Sequence, residues 1–331
     1  MSAWLLPALI SSTVAGLVTI TVSILVHFFG GIVGGALGTV PHVAVVGSIG
    51  FSLRLSPSSA SFQTAMLVMP IGMLINSFYL AALRIFSYLS WERKGRQLLA
   101  YRMTSIFGAS GIIFFLLLFL VVFVLKPEDL PLASVRILAY LSFFVEFVIG
   151  IVLFFGFSNS VVASNEIGVE EANGVEENSF KSKSSKLLGF LGRGCTTFVL
   201  FFIALALAQS FPALSGILVN LPIVGTVVVS SLWISDSEEV ALSTLAPMVL
   251  GMLSASLYAI LASLFMPFDI VLGVLLSWCV SVCLVTLPVV CLLEKLKKKR
   301  RESNPKTQHE HKQNCSKHTP TTTTTTINLT I

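Results

Sequence analysis

The chain has 331 residues, of which 55% are hydrophobic and only 11% charged, and its mean hydropathy is +0.90. A soluble domain averages about 25% charged residues, so most of this chain has no water-facing surface to build. The net charge of +5 sits mostly at the C-terminal end and says little about nucleic acid, and no nucleic-acid partner is expected. What remains is an all-α polytopic membrane protein, because apolar runs of about 20 residues follow one another almost without pause.

Residues 3–29 read as the first span. No Lys or Arg precedes its apolar core, which argues against a cleaved signal peptide or an Arg-rich transit peptide. The second span, residues 30–50 (GGIVGGALGTVPHVAVVGSIG), organises the rest. Gly30, Gly34 and Gly38 recur every fourth position, with Gly31 and Gly35 one step round, so a helix here has a face without side chains. Pro41 removes a donor and frees the carbonyl of Leu37, which kinks or breaks the helix beside His42. In hydrocarbon such a break survives only where protein or a wet cavity satisfies it.

The third span is 62–88. The loop WERKGRQLLAYR (91–102) carries Arg93, Lys94, Arg96 and Arg102, and short loops this basic stay cytoplasmic. Spans four (103–125) and five (134–157) follow. Residues 158–186 are polar, acidic first and then basic at Lys181, Lys183 and Lys186, and read as a disordered cytoplasmic linker. Spans six to nine are 187–209, 212–234, 240–265 and 269–293. EKLKKKRR (294–301) and a Thr-rich tail close the chain. Nine spans put all three basic segments on one side, with the amino terminus outside and the carboxy terminus cytoplasmic. An even count, or the seven of a receptor, breaks that rule.

The chain also repeats itself. A shift of 181 residues lays Gly35 on Gly216, Leu37 on Leu218 and Pro41 on Pro222. After a two-residue shortening, Gly72-Met73-Leu74-x-x-Ser77-x-Tyr79 lies over Gly251-Met252-Leu253-x-x-Ser256-x-Tyr258. The expected domains are therefore 1–125 (first four-span repeat), 126–157 (linking span), 158–186 (linker), 187–293 (second four-span repeat) and 294–331 (tail). One extra span between two four-span units inserts them in opposite directions. Such inverted repeats, with helices interrupted at matching positions, point to a secondary transporter's mid-membrane site.

The second half, from Gly216-Ile-Leu-Val-Asn-Leu-Pro222 through Leu250-Gly251-Met252 and Tyr258-Ala-Ile-Leu-Ala to Trp278, resembles the small four-span GlpM-type inner-membrane proteins of bacteria. There a Gly-Leu-x-x-x-Phe-Pro turn inside a span precedes a Phe-Gly-Met and Tyr-bearing span. The resemblance implies two such units fused around span five. The first half departs from it, with Thr39-Val40-Pro41 where the aromatic-Pro pair belongs. No established reaction accompanies the family.

Few residues are equipped for chemistry. Glu146, midway along span five, is a carboxyl where an acidic residue costs roughly 2.5–3.5 kcal/mol, so it should face the bundle interior and carry a proton or a cation, or else serve as a hydrogen-bonded packing group. His42 is a candidate relay. Asn76 and Asn220 suit bonds between helices or ligation, and the carbonyls of Leu37 and Leu218, freed by Pro41 and Pro222, complete the candidate substrate or ion site. No catalytic set, cofactor or metal site is expected, and the partners are the lipid bilayer, a small molecule or ion, and a second copy of the chain. A non-transporting scaffold is the alternative, ahead of an integral-membrane enzyme.

Overall fold

The computed structural model describes residues 5–29, 40–89, 99–156, 179–220, 226, 229–230, 233, 241–242, 244–292 and 294–295. Among these residues everything regular is helical. The elements are α1 (Leu5–Phe29), α2 (His42–Arg54), α3 (Ala60–Leu89), α4 (Leu99–Phe119), α5 (Leu132–Gly156), α6 (Ser179–Leu207), α7 (Pro212–Leu218), α8 (Leu245–Phe265) and α9 (Ile270–Ser281). Both α4 and α9 widen into π-turns, at Leu120–Leu125 and Val282–Thr286. The bundle lies within Met1–Val290; of the second compact unit, Cys291–Ile331, residues 291–292 and 294–295 are described, all helical.

Six helical stretches among the described residues are long and apolar enough to cross a membrane: Ala60–Leu89, Met103–Leu125, Leu132–Phe155, Phe190–Leu207, Leu245–Phe265 and Ile270–Leu292. A helix satisfies its own backbone donors and acceptors, which lipid cannot do. The chain is therefore read as a multi-pass membrane protein. Two short helices carry or adjoin the interruptions expected from sequence. α2 has 13 residues and follows Pro41, while α7 has seven and stops before Pro222. At 1.5 Å per residue they span about 20 Å and 10 Å, less than the roughly 30 Å hydrocarbon core.

Polarity is turned inside out. Large apolar side chains such as Phe115, Val124, Phe155 and Val271 are exposed, as a lipid-facing surface requires. Ser77, Ser256, Asn76, Asn220 and Glu146 are buried. The most enclosed spans are α3 and α8, which pack on each other and both on α5. The outer helices α4 and α9 pack on α3 and α8 respectively, α1 packs on α2 and α6, and α6 on α7.

Glycine sets the closest crossings. At α1 against α6, a Cβ on Gly16 would lie 2.9 Å from the Gly194 carbonyl oxygen, and one on Gly194 would lie 3.1 Å from that of Gly16. Gly216 of α7 sits on the backbone of Ala65 in α3, where a Cβ would overlap the carbonyl oxygen. The glycine ladder Gly30, Gly31, Gly34, Gly35 and Gly38 lies outside the described residues.

Loop side chains fix the helix starts. Asp269 accepts from the Leu272 N–H (2.7 Å) and Ser59 Oγ from the Phe62 N–H (3.2 Å), satisfying donors that a helix N-terminus leaves free. Glu128, between α4 and α5, accepts from the Ala213 N–H (3.1 Å) and so caps α7 from another part of the chain. The start of α6 differs from expectation. α6 begins at Ser179, so Lys181, Lys183 and Lys186, assigned from sequence to a disordered linker, lie within its first turns. Ser, Lys and Leu all tolerate helix, and the apolar span they lead into continues it.

Candidate functional site

Glu146 lies at the middle of α5 and is 0% exposed. Close packing brings its neighbours in, since a Cβ on Gly150, one turn on, would lie 2.7 Å from a Leu250 methyl of α8. Two hydroxyls meet the carboxyl. Ser256 Oγ of α8 donates to Oε2 at 2.6 Å, and Ser77 Oγ of α3 donates to Oε1 at 3.4 Å. These serines occupy the same place in the Gly-Met-Leu-x-x-Ser-x-Tyr order, one in each half. Among the described residues no cation pairs with the carboxyl. Two hydroxyl donors offset only part of the cost of a charge removed from water, so the bare carboxylate calls for a proton or a cation.

The tyrosines that follow each serine bond elsewhere. Two positions on, a helical side chain points to nearly the opposite face. Tyr79 of α3 accepts from Thr226 Oγ1 at 3.0 Å, and Tyr258 of α8 lies 2.6 Å from Ser48 Oγ of α2. Ser48 already gives its proton to the Val45 carbonyl (2.8 Å), so Tyr258 is the donor. Each tyrosine thus reaches an interrupted span of the other half.

α3 also holds the end of α7. Asn76 Nδ2 donates to the Asn220 carbonyl at 2.5 Å, and Asn220 Nδ2 donates back to Gly216 O at 3.3 Å. Both side-chain oxygens are then left buried with no partner among the described residues. Leu218, half-buried, is the last residue of α7. Its carbonyl would ordinarily accept from residue 222, which is proline and has no N–H.

His42 opens α2. Its Nδ1 faces Val40 O at 2.6 Å and, since a carbonyl only accepts, must carry the proton, while buried Nε2 has no partner among the described residues. The carboxyl of Glu146 has Ser77 and Ser256 as its described partners, so His42 is not bonded to it. Pro41 is buried, and its carbonyl accepts from Val45 N (2.9 Å). Leu37 and Pro222 lie outside the described residues. The interrupted spans do touch nearby, since a Cβ on Gly47 would lie 3.0 Å from a Val219 methyl.

The sequence singled out Glu146, Asn76 and Asn220, and the fold brings the two asparagines into one hydrogen-bonded pair. It missed Ser77, Ser256, Ser48 and Thr226 as ligating or latching groups. For the first two the signal was present: both serines stand in the repeated motif. Cys279 on α9 and Cys283 in the π-turn that follows it are both exposed. Among the described residues no group of three His, Cys, Asp or Glu is placed to hold a metal ion. No protein-family model, curated protein or solved structure matches this chain.

Proposed function

We propose that the chain is a secondary transporter or permease. It would be built from two inverted four-span repeats around α5, nine spans in all, with its amino terminus outside and its carboxy terminus cytoplasmic. The observation that carries this reading is the pair of serines, one from each repeat, meeting a single buried carboxyl on the span between the repeats. A two-fold axis in the membrane plane relates such units, so matching residues converge where it passes, at mid-depth. The packing supports the same relation: α4 lies on α3 as α9 lies on α8, α2 on α1 as α7 on α6, and α5 on both α3 and α8. The GlpM-type resemblance of the second half fits a duplicated unit. A proton or cation on Glu146 would move with, or against, a small molecule or ion bound at the interrupted spans.

Two experiments test the proposal. Single cysteines at 37–42 and 218–223 should react with water-soluble thiol reagents from one side at a time. Reconstituted protein should move a substrate from a panel of ions and small metabolites, and Glu146→Gln should stop it. Residues that stay dry from both sides, with no flux across the panel, would sink the carrier reading. The second reading, a membrane scaffold, is favoured by the glycine crossings at Gly16, Gly194 and Gly216, which bring helix backbones together as packing alone requires.

A further inference from the structure

We infer that Asn76, Asn220 and the main-chain oxygen of Leu218 form a seat for a dehydrated alkali-metal cation at the C-terminal end of α7. This deepens the transporter reading and rests on it for its purpose, though not for its chemistry.

The first argument is the pair of orphaned oxygens. Asn76 is 5% exposed and Asn220 4%. In each, the amide nitrogen is committed to a carbonyl, Asn220 O for one and Gly216 O for the other, so the amide cannot be turned round. Oδ1 of both is left buried, with no partner among the described residues. An unmet buried acceptor is costly, and two of them, on residues joined by a hydrogen bond, are hard to explain as packing. What is missing is an electron-pair acceptor, that is, a cation or a polar hydrogen.

The second argument is the helix end. α7 stops at Leu218, and the residue that would bond its carbonyl is Pro222. Unwound carbonyls and the C-terminal ends of half-helices are where sodium sites form in carriers, because the partial negative charge there is fixed and already desolvated.

The donor set then selects the ion. All three groups are neutral oxygens, which suit hard cations and offer nothing to thiophilic or imidazole-seeking metals. Divalent ions in proteins are met by carboxylates, and none is in this set. A single charge is what neutral carbonyls can hold inside a bilayer.

The purified full chain in detergent is unfolded by heat in sodium, potassium or choline chloride at one pH and ionic strength. The seat predicts a saturable rise in Tm with sodium or potassium and none with choline. Asn76→Leu should weaken the apparent affinity by about tenfold or more, and Asn220→Asp, which puts a carboxylate in the seat, should tighten it by about as much. If the leucine variant does not fold, the aspartate variant alone decides. Equal Tm in all three salts, or a response unchanged in both variants, overturns the inference and leaves a water-filled or packing pair. Flux is read separately. Cation binding without flux keeps the seat and removes the carrier; flux without cation stabilisation removes the seat and keeps the carrier.

Discussion

α3 and α8 carry the same ordered residues and meet the same carboxyl, yet they do not hold it equally. Ser256 is 2.6 Å from Glu146 and Ser77 is 3.4 Å. Tyr258 is 2.6 Å from its hydroxyl partner and Tyr79 is 3.0 Å from its own. An O–H···O contact of 2.6 Å is short and strong, whereas one of 3.4 Å adds little. The carboxyl thus leans toward the second half. Under the proposed reading, an alternating carrier must break its symmetry in each of its two states, and a group on the axis can change sides without changing partners in kind.

One substitution and three pairs of substitutions would break or sharpen that contrast. The largest effect is expected at the shared carboxyl: Glu146→Gln should reduce reconstituted flux to background while the protein still folds, since the amide keeps partners for both serines. Flux that survived in this variant would remove Glu146 from the site.

Next comes the α7–α3 crossing. Gly216→Ala forces a Cβ into the Ala65 carbonyl and should cost about 3 kcal/mol in a detergent or SDS unfolding titration. Gly72→Ala, whose Cβ would lie 3.3 Å from Ile217 Cα, should cost about 1 kcal/mol. Equal costs would mean that α7 shifts freely on α3.

The serines should then differ. Ser256→Ala removes the short bond and should destabilise by about 2 kcal/mol, and Ser77→Ala by about 0.5 kcal/mol. The reverse order, measured by thermal unfolding, would mean that the carboxyl rests on the first half. The tyrosines should give the smallest effects, about 1 kcal/mol for Tyr258→Phe and less for Tyr79→Phe. If Tyr79→Phe proved the costlier, the lean toward the second half would not extend beyond the carboxyl.

Much of the fold was legible because lipid leaves a chain few choices. Long apolar runs must be helices there, and α3, α4, α5, α8 and α9 fall close to where hydropathy put them. Pro41 announced the start of α2 because proline has no N–H to give. The end of α7 was less legible: residues 212–234 read as one span, yet the helix stops at Leu218, four residues before Pro222. Glu146 stood out because a carboxyl amid apolar residues is costly anywhere but inside.

The sequence by itself determined membrane residence, the interruptions, and the repeated order Gly-Met-Leu-x-x-Ser-x-Tyr, since each follows from the chemistry of residues close together in the chain. Only the tertiary structure decided that Ser77 and Ser256 share one carboxyl, that each tyrosine crosses to the other half, and that Asn76 holds the end of α7. Serine and asparagine serve equally as local helix partners or as links between helices. Their role is set by which helix stands opposite, and that depends on close approach at Gly216, Gly150 and Gly16, which no local pattern specifies.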